Sequence, residues 1–296
     1  MAVLDETAFQ RCCFLGEEHF TELYATFTEA FSDYVFPFAL TESQFKNHLV
    51  LNGVDLRRTA GCFVDGRLVG FSLNGFGDWG GVSTVYDAGS GVIPSHRRRH
   101  ICESMFEMML AAFRQQGIGQ CLLEVINSNT GAIRLYEKLG FTVKRELSLL
   151  QCDGELVVPV AVSRDVEVRA MERPDWATFA TFWDGMPSWQ NSSEAIERSH
   201  GNKSLKGAFI GDRCVGYIIF SSTYGRAAQM AVDKSFRNLG VGTALLQAMK
   251  AETAEGYSMQ IINIDKGLPG AMQFFQDHGF YERISQYEMV LPLSKA

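Results

Sequence analysis

The chain repeats itself, and that constrains its fold more than any other feature. The run Phe63-Val64-Asp65-Gly66-Arg67-Leu68-Val69-Gly70-Phe71 returns 146 residues later as Phe209-Ile210-Gly211-Asp212-Arg213-Cys214-Val215-Gly216-Tyr217. Each reads as a strand, a tight turn and a second strand. Arg97 returns at Arg237, after 140 residues, and Gly140-Phe141 at Gly279-Phe280, after 139. Three landmarks in one order with slowly drifting spacing mean that one structural unit occurs twice. A chain of 296 residues with 46% hydrophobic content has room for two domains, each with its own core. A turn at Asp153-Gly154 places the expected domains at 1–152 and 153–296, both α/β.

In the second copy, Met230, Ala231 and Val232 form a short apolar strand pattern. It runs into Arg237-Asn238-Leu239-Gly240-Val241-Gly242 and on into an apolar helix from Thr243. The first N–H groups of that helix lack helical partners, and the helix dipole adds partial positive charge. With glycines leaving the backbone bare, the turn suits an anion such as a pyrophosphate. Arg237 adds a formal charge beside it. The same pattern also suits an ordinary helix start with a surface arginine. No G-x-x-x-x-G-K-[ST] loop occurs. The G-x-G-x-x-G at Gly75, Gly77 and Gly80 is followed by a strand pattern over 82–86, where a dinucleotide fingerprint needs a helix.

This strand, loop and helix resemble the acetyl-CoA loop of the GNAT acetyltransferases, in which a strand leads through Q/R-x-x-G-x-G/A into a helix. In the first copy, Gly91-Val92-Ile93-Pro94-Ser95-His96-Arg97-Arg98-Arg99-His100-Ile101-Cys102 resembles the same element, with His100 and Cys102 where the glycines stand. The resemblance implies an α/β fold built from two tandem GNAT units. Each is a mixed, mostly antiparallel sheet flanked by helices, with acetyl-CoA held where neighbouring strands splay apart. It implies backbone contacts to the pantetheine arm at Val92 and Ile93, and at Ala231 and Val232. Pyrophosphate contacts would come from Arg97, Arg98, Arg99, His100, Ile101 and Cys102, and from Arg237, Asn238, Leu239, Gly240, Val241, Gly242 and Thr243. The resemblance also turns Asp87 toward the acceptor and makes Tyr34, Phe36 and Phe38 candidates for an apolar acceptor wall, although aromatics are more often simply core. The glycine-rich stretch over 74–81 reads as a tight turn or a mobile segment.

A second resemblance covers 121–141. Leu123-Glu124-Val125, Asn129, Ala132, Leu135-Tyr136-Glu137 and Gly140-Phe141 match the L-E-V...N...A-x-x-L-Y-E-x-x-G-F segment of the ribosomal-protein N-acetyltransferases within the GNAT family. Carried over, Glu124 is the base, Tyr136 the acid and Asn129 a polar cofactor contact. The residue types fit the chemistry. An amine is protonated at neutral pH and must lose a proton before it attacks a thioester, and a departing thiolate is stabilised by an O–H donor. Aligned on Ala132 and Ala271, the second copy has Asn263 and Phe275 at these positions, and neither exchanges a proton. The first copy thus keeps the acid/base pair with a bulkier loop, while the second keeps the loop without the pair. Catalysis in the first copy is the preferred expectation, because losing a general acid or base costs roughly 10²- to 10⁴-fold. Catalysis in the second copy, or a CoA-binding protein without turnover, are the alternatives.

Composition bounds the partners. A net charge of −7 disfavours nonspecific nucleic-acid binding, and a phosphorylated cofactor explains the Arg97-Arg98-Arg99 cluster better than DNA does. Seven cysteines without a C-x-x-C pair argue against a disulfide framework and against a zinc site. The absence of a long apolar run or a signal-peptide pattern gives the expectation of a cytoplasmic protein with a small-molecule or peptide amine as acceptor and no membrane partner.

Overall fold

The computed structural model describes residues 9–33, 39–199, 201 and 203–293. Tyr34, Phe36 and Phe38 lie outside the described residues. The chain divides into two compact units, Met1–Lys144 with Glu288–Ala296, and Arg145–Tyr287.

In the first unit the strands are β1 (Gln10–Phe14), β2 (Ala60–Val64), β3 (Arg67–Trp79), β4 (Val82–Val92) and β5 (Gln120–Ile126), adjacent in that order. All neighbours pair antiparallel except β4 and β5, which are parallel. The helices are α1 (Phe20–Ala30), α2 (Glu42–Asn52), α3 (Ile101–Gln115) and α4 (Thr130–Lys138). Successive β3 residues alternate between faces. Phe71 meets Phe27 of α1 and Phe31, the residue that caps it, while a Cβ at Gly70 would touch Ile101 and Met105 of α3. Local chemistry sets the boundaries. Thr41 caps α2 in a capping box with Gln44, and Asp65-Gly66 turns the β2–β3 hairpin with positive φ at both residues.

The glycine-rich stretch over 74–81 does contain the expected tight turn, but only at its end. Residues 74–79 belong to β3, and the reversal falls at Gly80-Gly81, both with positive φ. Gly75 is there for clearance, since a Cβ would stand 2.0 Å from the Asn52 carbonyl oxygen at the end of α2.

The second unit contains β6 (Thr142–Cys152) from Arg145 onward, then β7 (Val166–Ala170), β8 (Ser204–Ile210), β9 (Arg213–Ser221), β10 (Arg226–Val232) and β11 (Met259–Asp265), in the order β6-β11-β10-β9-β8-β7. Its helices are α5 (Trp176–Phe182), α6 (Ser193–Arg198), α7 (Val241–Glu252) and α8 (Pro269–Asp277). One face of the sheet packs Val215, Ile218 and Phe220 against Leu245, Leu246 and Met249 of α7 and Phe275 of α8. On the other, Tyr217 and Ile219 meet Phe179, Phe182 and Ile196 of α5 and α6. The final strand, β12 (Tyr281–Pro292), belongs to the second unit up to Tyr287 and to the first from Glu288. Residues 145–152, grouped on sequence with the first copy, fold with the second unit, where β6 pairs antiparallel with β11. Strand membership is decided by long-range pairing, to which a local pattern is blind.

The duplication extends to irregularities. The β2–β3 register shifts between Cys62 and Phe63, and the β8–β9 register shifts between Ala208 and Phe209, the corresponding place. Among the described residues no helix is long and apolar enough to cross a membrane.

Candidate active site

Both units carry the same loop between a central strand and a long helix. In the first, Arg98 and His100 have φ of 60°; in the second, Asn238 and Gly240 have φ of 63° and 77°. His100 and Gly240 are the N-caps of α3 and α7, each left-handed, so the loop keeps one backbone shape whether or not glycine is present. A left-handed non-glycine residue costs roughly 1–2 kcal/mol, which the first loop sustains twice and the second once. The N–H groups of 101–103 and of 241–243 open their helices and are the donors an anion would meet.

The two arginines at the head of the loops are spent on the fold. Arg97 grips Asp33 with both terminal nitrogens, at 2.7 and 2.6 Å, and also donates to the carbonyls of Ala30 and Val92. That guanidinium holds the Asp33 carboxyl below the usual carboxylate range. Arg237 does the same with Asp184 at 2.8 Å and with the carbonyls of Phe182 and Val232. Each pins the end of a helix, α1 or α5, to the end of a strand, β4 or β10. The expected free charge beside a pyrophosphate is therefore already neutralised; in the first unit, exposed Arg98 and Arg99 remain to supply it. Asp33 and Asp184 were not singled out on sequence, although each follows its helix by two or three residues.

The glycines of the second loop also serve packing. A Cβ at Gly240 would stand 2.6 Å from Val162 Cα and 2.7 Å from the Ala161 oxygen, and one at Gly242 would stand 2.7 Å from the Phe274 ring. Residues 155–163 cross from α8, where Val157 N–H donates to the His278 carbonyl, to the loop, where Ser163 N–H donates to the Leu239 carbonyl. Ile93, Ile101, Val241 and Thr243 bury their side chains, so only their backbone is available to a ligand. Thr243 also hydrogen-bonds buried His278 at 2.9 Å, tying α7 to α8. In the first unit the corresponding tie is Glu103 with Lys138 at 2.5 Å, with His100 at 3.0 Å, and both partners hold the Glu103 carboxyl low. Burial, with Asp87 and Glu103 nearby, pushes the Cys102 thiol up to about 12.

Beyond the loops the parallel strands part. The β4–β5 register runs from Thr84↔Gln120 to Asp87↔Leu123, and β10–β11 pairs only at Arg226↔Gln260 and Ala227↔Ile261. In the first unit, Tyr86 Oη donates to Glu124 Oε2 at 3.1 Å across this fork. Tyr86 is a partner that the motif did not supply; the alternation of residues on facing strands was the available signal. Tyr136 is buried, its ring between Phe106 and Phe141 at 5.5 and 5.7 Å. Asn129 uses its side-chain oxygen to cap α4 at Ala132 N–H. Asp87 is buried and accepts from Gly89 N–H and Ser90 Oγ; burial pushes its carboxyl up to about 6 against those bonds.

In the second unit the fork opens into a cavity of ≈ 810 Å³, lined among others by Met230, Ala231, Val232, Gly242, Asn263 and Phe274. Asn263 is bonded to Ser188 Oγ and Gln286, and Phe275 is buried, so the two positions aligned with Glu124 and Tyr136 carry no acid/base pair. In the cavity wall, Trp183 Nε1 donates to Tyr217 Oη, which donates to Gln229 Oε1, while Gln229 Nε2 donates to the Asn191 carbonyl.

Comparison with known proteins agrees with this architecture. The model described as "Acetyltransferase (GNAT) family" matches residues 18–141, and that described as "Acetyltransferase (GNAT) domain" matches 206–282. A mycothiol acetyltransferase of Streptosporangium roseum is 41% identical over 81 residues, 26% of this chain and 23% of that protein. A streptothricin acetyltransferase of Streptomyces lavendulae is 32% identical over 87 residues, 29% of this chain and 45% of that protein. The chain therefore spans less than half the length of either curated relative. A tandem GNAT protein from the clavulanic acid biosynthesis pathway, solved without acetyl-CoA, has the same fold with a TM-score of 0.71 at 15% identity, covering 97% of this chain and 100% of that one. Two strand forks with matching loops, together with two family matches that between them span more than half of the sequence, show that this chain belongs to the GNAT acetyltransferase family as a tandem-domain member.

Proposed function

We propose that the protein is an acetyl-CoA-dependent N-acetyltransferase acting on a primary amine, with its chemistry in the first unit. The observation that carries this reading is the Tyr86–Glu124 hydrogen bond of 3.1 Å at the fork between β4 and β5. It places an oriented carboxylate where the two parallel strands separate. The residues around it fit acetyl-CoA. A left-handed loop opens α3, the N–H groups of 101–103 face an anion site, and Arg98 and Arg99 are exposed beside it. Bound there, acetyl-CoA supplies an activated acetyl thioester.

The chain's own groups do the rest. Glu124, held at Oε2 by the Tyr86 hydroxyl, takes the proton of the incoming ammonium and so makes the nitrogen nucleophilic. Tyr136 holds a proton at Oη for the departing thiolate, with its ring fixed by Phe106 and Phe141. Val92 and Ile93, at the end of β4, offer backbone groups along the fork, and the 101–103 N–H groups cradle the pyrophosphate. The acceptor class is a small-molecule or peptide amine. Two similar proteins are named mycothiol acetyltransferase and streptothricin acetyltransferase, and an assay panel therefore includes small-molecule amines, aminoglycosides among them, beside peptide amines.

The test is CoA release from acetyl-CoA across such a panel. Glu124→Gln and Tyr136→Phe should each lower kcat by roughly 10²- to 10⁴-fold. Unchanged turnover in both would remove the chemistry from this fork.

The ≈ 810 Å³ cavity favours a second reading, with cofactor held in the second unit between Met230–Val232 and the Gly242 loop. Calorimetric titration of acetyl-CoA separates the two. An Arg98→Ala, Arg99→Ala double variant should weaken binding at the first unit; a single site of unaltered affinity in that variant would favour the second.

A further inference from the structure

The β1–β2 ladder brings together two cysteines that lie far apart in sequence. Cys12 of β1 is the direct register partner of Cys62 of β2. The type of pair follows from the ladder bonds. Leu15 N–H donates to the Thr59 carbonyl at one end, and Asp65 N–H to the Phe9 carbonyl at the other. Hydrogen-bonded and non-hydrogen-bonded pairs alternate along an antiparallel ladder, and Cys12↔Cys62 lies three residues from each of those bonded pairs. It is thus a non-hydrogen-bonded pair, whose Cα atoms stand about 4.5 Å apart with their side chains on one face. A disulfide accepts Cα separations of roughly 4.4–6.8 Å, so the bond can close without moving either strand.

We propose that Cys12 and Cys62 are an oxidisable pair that forms a reversible cross-strand disulfide by exchange with a small-molecule disulfide such as oxidised glutathione. The two thiols are unlike. Cys12 is half-exposed on β1, the edge strand of its unit, whereas Cys62 is buried. A hydrogen bond from Cys62 holds the Cys12 thiol below its ordinary value, while the same bond and burial push Cys62 up. Cys12 is therefore the attacking thiolate and Cys62 the resolving thiol. The Cys12 thiolate attacks one sulfur of the small disulfide, forming a mixed disulfide and releasing one thiolate. Cys62 then gives its proton to that thiolate and attacks Cys12 Sγ, closing the protein bond and releasing the second small thiolate. Two protein thiols are oxidised and one small disulfide is reduced to two thiols. The bridge encloses residues 12–62, which carry α1, α2 and Asp33, the carboxylate that grips Arg97.

The experiment equilibrates the folded full-length protein in glutathione buffers from fully reduced to fully oxidised, followed by acid quench, alkylation and peptide mapping. Expected is the loss of two of the seven free thiols, one cross-linked peptide pair joining Cys12 to Cys62, and an upward shift of Tm by several degrees, about 5 °C. Cys12→Ser and, separately, Cys62→Ala should each abolish the cross-link, while Cys13→Ser should leave it in place. Seven free thiols at every poise, or a cross-link that joins Cys13 or another cysteine instead, would overturn the proposal. Recovery of both thiols on adding dithiothreitol separates the disulfide from irreversible oxidation.

Discussion

Replacing Gly240 with alanine isolates the reason for the glycine in the second loop. The residue has φ of +77°, and an added Cβ would meet Val162 Cα at 2.6 Å and the Ala161 oxygen at 2.7 Å, both backbone atoms of the crossing segment. The left-handed conformation alone costs an L-residue roughly 1–2 kcal/mol. The clash needs the crossing segment to retreat by most of an ångström, and such overpacking costs roughly 1–3 kcal/mol. Gly240→Ala is therefore expected to destabilise the chain by about 2–5 kcal/mol and to loosen residues 155–163. The counterpart, His100→Gly, relieves the same strain but adds glycine's unfolded-state freedom. It should stay within about 1 kcal/mol of the parent. Urea unfolding followed by circular dichroism gives both numbers, and limited proteolysis reports cleavage within 155–163. If Gly240→Ala were as stable as the parent and its crossing segment equally resistant, the glycine would not be there for packing, and an anion-binding explanation would regain its force.

Two further expectations follow from buried polar groups. Burial lifts the Asp87 carboxyl from 3.8 to about 6 in the folded chain. A folded value above the unfolded one means that its contribution to stability is complete below pH 3.8 and is lost as pH climbs through 6. The loss is roughly 3 kcal/mol, so Asp87→Asn should flatten the fall in unfolding free energy across that window, and an unaltered profile would contradict the assignment. Tyr217→Phe keeps the stacked ring on Phe179 but leaves Trp183 Nε1 and Gln229 Oε1 without their shared hydroxyl. It should cost about 1–3 kcal/mol in denaturant unfolding, and a cost near zero would show that the network is not a structural tie.

What was legible in the sequence was whatever repeats over a few residues. Hydrophobic period and turn residues located the Asp65-Gly66 hairpin, the strand through 230–232 and the helix that follows the Gly240 loop. The duplicated landmarks gave the tandem GNAT architecture, because a repeat preserves the order of its landmarks as well as their chemistry. Glu124 was likewise singled out by its motif, as the proposed base.

Its partner, Tyr86, was not, because their hydrogen bond depends on which strands are neighbours. The same limit covers the other features that only tertiary structure decided. It assigned residues 145–152 to the second unit and gave Arg97 and Arg237 to Asp33 and Asp184. It gave Gly240 and Gly242 an added packing role, clearance for Val162 and Phe274. It also set Cys12 opposite Cys62. Each of these depends on a partner tens of residues away or more, selected by the packing of whole strands and helices, whereas residue spacing in a single sequence records only neighbours along the chain.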